Sequence, residues 1–159
     1  MIEPSAVRTL YVEPALTQLG LYTLQAEQLL MGTAAVESNF TNFVQFGDGP
    51  ARGMFQMEPP TFDDMLDRVL DNPNNAALKA AVYAAAANRP PAFVELAANH
   101  LLAAALARVK YFSVPGEIPL DLADQAEYWW TYYNGRSPNG VGVEGYLAAW
   151  NSYCAPLYP

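Results

Sequence analysis

The stretch AFVELAANHLLAAALARVKYF, residues 92–112, is rich in Ala and Leu and apolar most of the way round. A helix without a broad polar face cannot lie on a surface, so the rest of the fold must enclose it. Alanine is also the strongest helix former. These properties predict one long central helix from Ala92 to about Phe112 in a mainly α protein. The 159 residues suit a single domain, 1–159. That length can bury a core without metals or disulfides. An apolar fraction of 52% against 15% charged residues excludes disorder.

The wrapping elements follow from spacing and punctuation. Ser5 to about Leu19 reads as a helix that Pro14 caps or kinks. Leu21 to Val36 reads as a second helix, with Gln25, Glu27 and Gln28 on its polar side. The next segment, SNFTNFVQFGDGPARG, is rich in Asn, Gly, Thr and Phe. It predicts a long loop or a short β-hairpin region, and loops of this length are usually functional. Thr61 is placed to N-cap a helix from Phe62 to about Leu70. Further helices are expected over 75–88, 120–133 and 143–150.

Composition also removes whole classes of function. Sixteen acids against eight Lys plus Arg give a net charge of −8. A basic footprint for nucleic acid or for an anionic membrane is missing. No apolar run approaches the roughly 18 residues of a membrane span, so no membrane insertion is expected. Cys154 is the only cysteine and His100 the only histidine. No Cys/His zinc site can be assembled from them, and no metal or other cofactor is expected. The first residues lack a basic segment followed by an apolar one. The expectation is a protein made in the cytoplasm without a signal peptide.

Three short segments carry the chemistry. In GTAAVESNF, residues 32–40, Glu37 closes an apolar helix with no charged neighbour. The helix dipole at that end and apolar surroundings both disfavour its ionised form. A carboxyl that stays protonated near neutrality is suited to general acid work. The plain alternative is a solvated Glu that happens to end a helix. The second segment is GMFQMEPPT, residues 53–61, and the third is YYNG, residues 132–135. Either alone could be an ordinary turn or helix cap.

In this order, VESNF, ARGMFQMEPPT and YYNG resemble the signature segments of the lysozyme-like lytic transglycosylases. The resemblance spans a motif-bearing core of about 21–150. It implies a lysozyme-like domain in which Glu37 is the catalytic acid and then base. It implies that Ser38, Phe55, Gln56, Tyr133 and Asn134 bind or position substrate, with Phe55 standing where the family commonly has Met. It further implies peptidoglycan glycan strands as partner, cut at the β-1,4 bond between N-acetylmuramic acid and N-acetylglucosamine. The doubled proline and the acid in Glu58-Pro59-Pro60-Thr61 depart from the family pattern. Asp48 and Glu58 lie near the places where goose-type lysozymes, relatives of the same fold, carry water-positioning acids. The outcome is therefore open between an anhydro product and hydrolysis by an inverting muramidase. A non-catalytic virion or glycan-binding module of the same fold is the third reading.

Aromatics crowd these segments: Phe40, Phe43, Phe46, Trp129, Trp130, Tyr132, Tyr133 and Tyr146. Two or three should face a sugar-binding groove and the rest should be core. Arg52 is a candidate partner for a ligand carboxylate. The lack of a leader and of a basic wall anchor fits a bacteriophage-type enzyme. Such an enzyme would ride in a tail or virion assembly, or be released to the cell wall by lysis.

Overall fold

The computed structural model describes residues 1–47 and 49–159. It is mainly helical, with no named strand among the described residues. Two helices rather than one are enclosed. They are α6 (His100–Phe112), buried from Leu102 through Ala107 and again at Val109 and Tyr111, and α3 (Leu24–Ser38), buried from Leu29 through Ala35. Thr33 on α3 and Tyr111 on α6 share a buried hydroxyl contact of 2.7 Å. The buried apolar side chains make one continuous cluster from Val7 to Cys154.

The predicted long helix over 92–112 is broken. Phe93–Ala97 forms a 3₁₀ turn, and α6 starts only at His100. Asn99 is the cause: its side-chain oxygen accepts the Leu102 N–H at 3.0 Å, and its amide donates to Ala85 O at 2.8 Å. Capping is more favourable for Asn than continuing a helix. The same chemistry moves the start of α3 from Leu21 to Leu24, because Thr23 Oγ1 accepts the Ala26 N–H at 3.1 Å. At the other end α3 runs past Val36 and stops at Asn39, which takes the left-handed conformation with φ 50°.

The first helix stays continuous through Pro14 in three pieces. These are α1 (Pro4–Val7), a π-helical turn over Arg8–Val12, and α2 (Glu13–Gln18). Pro14 has no N–H for Leu10 O, and the wider turn, with Glu13 N–H reaching back to Arg8 O, absorbs the mismatch. Helix α4 (Pro59–Asp64) begins three residues before the predicted start at Phe62. Pro59 fits the first helical position, where its missing N–H costs nothing, and Glu58 before it is extended. A π-helical stretch, Met65–Leu70, continues it. The remaining helices are α5 (Ala76–Ala85), α7 (Leu122–Tyr132) and α8 (Gly142–Tyr153). Among the described residues no helix is long and apolar enough to cross a membrane.

Between α3 and α4 the chain forms a loop tied by two isolated antiparallel bridges, Val44 with Arg52 and Arg52 with Met57. Helix α8 packs on α3 where Gly32 leaves room for Tyr146; a Cβ there would run into the tyrosine ring and hydroxyl.

Glu27 departs from its predicted place on the polar face of α3. It is fully buried. Tyr22 and Tyr158 hydroxyls each donate to its carboxylate at 2.8 Å. Arg8 Nε stands 2.6 Å away, as an ion pair off hydrogen-bond alignment, and Arg8 Nη1 donates to Leu157 O at 3.0 Å. One buried acid thus fastens both chain ends to α3. Removing one partner of a buried ion pair leaves a charge uncompensated. Glu27→Ala is expected to lower the unfolding free energy by about 3–5 kcal/mol in urea titrations; a loss under about 1 kcal/mol, the scale of an exposed pair, would contradict that role.

Candidate active site

Glu37 occupies the last turn of α3, among the helix carbonyls, one residue before its end. From α7, the Trp129 indole Nε1 donates to Glu37 Oε1 at 3.0 Å. Trp129 is itself buried and lies against Tyr146, with ring centroids 5.5 Å apart. Tyr133, one turn beyond Trp129, donates its hydroxyl to Phe55 O at 2.9 Å and so ties α7 to the Gly53–Glu58 loop. Lys110 reaches in from α6. Its Nζ donates to Tyr133 O at 2.8 Å and sits 3.8 Å from the centre of the Tyr133 ring. Gln56 is locked by its own amide, which donates to Asn42 O at 3.1 Å and Gly53 O at 2.9 Å. Gly53 has φ 81°, and a Cβ there would press on the Leu96 carbonyl, so glycine is required.

Two adjoining cavities meet at Glu37. One, of about 400 Å³, is lined by Glu37, Asn42, Gln45, Phe46, Gln56 and Glu58 among others. The other, about 200 Å³, adds Thr61, Lys110, Tyr133 and Asn134 to Glu37, Gln56 and Glu58. A third, about 320 Å³, continues from Thr61 and Lys110 toward Arg68 and Tyr132. The acid therefore stands where two cavities adjoin, in a groove that the third continues. A larger cavity than any of these three, about 590 Å³, does not include Glu37.

Burial dominates the charge state of this site. The Glu37 residue keeps an opening to the groove, yet protein crowds its carboxyl, and loss of water pushes its pKa from 4.5 up to about 7. The Trp129 hydrogen bond and the Lys110 charge pull the other way, and Glu58 adds to the rise. Lys110 is lowered to about 8, because desolvation outweighs the pull of Glu37 and Glu58. At neutral pH the two groups sit near their titration points, where protons move at least cost.

Of the residues named from sequence, Glu37, Gln56, Glu58, Tyr133 and Asn134 line one cavity. Ser38 does not join them. It is buried, and its hydroxyl is committed to Ala34 O at 2.9 Å, closing the helix rather than meeting a ligand. The Phe55 ring is in the core; only its carbonyl serves the site. Asp48 lies outside the described residues. Phe46, Tyr132 and Tyr133 are the aromatics of the eight that line the groove. Arg52 spends its guanidinium on Gly49 O and Ala51 O, both at 2.8 Å. His100 is wedged between Tyr11 and Phe43, with centroids at 5.2 and 4.7 Å.

Sequence reasoning missed Lys110, the donor role of Trp129, and Asn42, Gln45 and Thr61. Two signals were available. Lys110 interrupts an apolar helix, where a charge needs a reason. Trp129 precedes Tyr133 by four residues and so shares its helix face. Among the described residues no group of three His, Cys, Asp or Glu is arranged to hold a metal. Compared with protein families, curated proteins and solved structures, the chain matches none.

A carboxyl with a raised native pKa stabilises the fold only while protonated. That contribution is full below about 4.5 and is lost as pH rises through about 7. Glu37→Gln removes the penalty. The variant is expected to match the wild type near pH 4 and to exceed it above pH 7 by on the order of 3 kcal/mol. Urea unfolding at both pH values checks this; equal stability at pH 8 would contradict a desolvated Glu37.

Proposed function

We propose that this chain is a lytic transglycosylase of lysozyme-like fold that cleaves the β-1,4 bond between N-acetylmuramic acid and N-acetylglucosamine in peptidoglycan. One observation carries the reading. Glu37, Gln56 and Tyr133–Asn134, from three segments far apart in the chain, line a single cavity around an acid raised to about 7. A run of adjoining cavities that includes that acid suits an extended polymer.

Protonated Glu37 gives its proton to the leaving glycosidic oxygen as the bond to the muramic carbon breaks. Positive charge develops at that carbon. The resulting Glu37 carboxylate is held by the Trp129 N–H and by the Lys110 charge. It then takes the proton of the muramic C6 hydroxyl, whose oxygen closes on the same carbon. The acid is regenerated and a 1,6-anhydro end is released, without water being consumed.

Glu58 favours a second reading. It lines both cavities with Glu37 and interacts with it electrostatically. In an inverting muramidase it would hold a water on the far face of the sugar, with the carboxyls about 6.5–9.5 Å apart.

Digestion of purified peptidoglycan with mass analysis of the products tests both. Products lighter by one water support the transglycosylase, reducing ends support the muramidase, and no product at any pH from acid to neutral overturns the enzyme reading in favour of a non-catalytic wall-binding or virion module. Glu37→Gln is expected to cost about 10²–10⁴-fold in turnover. Glu58→Gln is expected to cost less than about tenfold if the anhydro route operates, and about as much as loss of the acid if Glu58 positions water.

A further inference from the structure

Eight cations serve this acidic chain. Arg8, Arg68, Lys79 and Arg89 pair with carboxylates. Arg52 and Lys110 bond backbone carbonyls, and Arg136 bonds Thr131. Arg108 differs from all of them. Its Nε and Nη1 are buried and meet no acceptor among the described residues. A buried guanidinium without an acceptor is costly, and such groups call for a missing partner.

Arg108 lines the cavity of about 590 Å³ that lies apart from Glu37, together with Leu21, Phe112, Val114, Ile118 and Glu117. Tyr128, close enough to interact with Arg108 electrostatically, also has a buried hydroxyl without a partner. Glu117 also lines the cavity but makes no ion pair with Arg108, so the guanidinium stays unneutralised. The apolar walls favour a ligand whose carboxylate is carried on a longer body. The cavity meets the groove at Val114, which lines both.

We propose that the Arg108 cavity is a binding site for a carboxylate carried on a short peptide, gripped by the guanidinium fork with the peptide body against Phe112, Val114 and Ile118. A carboxylate in the cavity gives this unneutralised guanidinium a counter-charge. Given the proposed function, side peptides on the wall polymer are the natural source of that carboxylate. That assignment rests on the glycan reading, whereas the carboxylate site itself does not.

The test is binding and needs no cleavage, so its failure is separable from failure of the enzyme reading. Isotope-labelled protein is titrated with N-acetyl-alanyl-alanine, with its C-terminal amide, and with acetate, while the Arg108 Nε–H and Gly116 amide resonances are followed. The acid peptide is expected to shift both saturably, and the amide and acetate to bind at least about tenfold more weakly. Arg108→Gln is expected to lose about tenfold or more in affinity for the acid peptide, and Arg108→Lys to fall between. An amide that binds as well as the acid, or no saturable shift, overturns the site. Acetate that binds as tightly as the peptide overturns the peptide assignment.

Discussion

The hydrogen bond from the Trp129 indole to Glu37, 3.0 Å long, joins the packing of the protein to its chemistry. Trp129 is positioned by Tyr146, and Tyr146 by the space that Gly32 leaves on α3. The acid on α3 is thus held by the contacts that seat α7 and α8 against it. Burial alone would leave Glu37 permanently neutral and unable to act as a base. The indole donor and the Lys110 cation offset part of the desolvation, and the balance falls at about 7. An acid that must give a proton and then take one back needs that balance.

The same economy runs through the other buried charges. Glu27 is buried with two hydroxyl donors and an arginine, and serves as a fastening for the chain ends. Arg108 buries two guanidinium nitrogens that meet no acceptor among the described residues. A satisfied cluster explains itself structurally, and an unsatisfied one beside a large cavity asks for a ligand. With most cations committed internally, little positive charge is left to draw the protein to an anionic partner.

The helical class was legible because Ala-rich runs have strong local preferences, and α6 is buried as its composition predicts. Boundaries were less so. Asn99, Thr23 and Pro59 each ended or started a helix through a local hydrogen bond or a fixed φ that periodicity does not weigh. Burial of Glu27 was invisible because its partners, Arg8 and Tyr158, lie 19 and 131 positions away. In the site, Glu37, Gln56, Glu58, Tyr133 and Asn134 were found because their segments carry a recognisable order. Ser38 and Phe55 lie in those segments too, but helix and core claimed their side chains. Lys110 belonged to no motif; its charge within an apolar helix was the only sign of it, and its bond to Tyr133 O gives the reason for that charge.

The most direct measurement is the pH dependence of kcat/KM for cleavage of soluble peptidoglycan strands. It reports the state of the free enzyme's proton donor. If a desolvated Glu37 supplies the proton, the rate holds at acid pH and falls as pH rises through about 7, where the carboxyl ionises. A rate that stays level to pH 9, or that falls only near the ordinary glutamate range of about 4.3, would contradict the account.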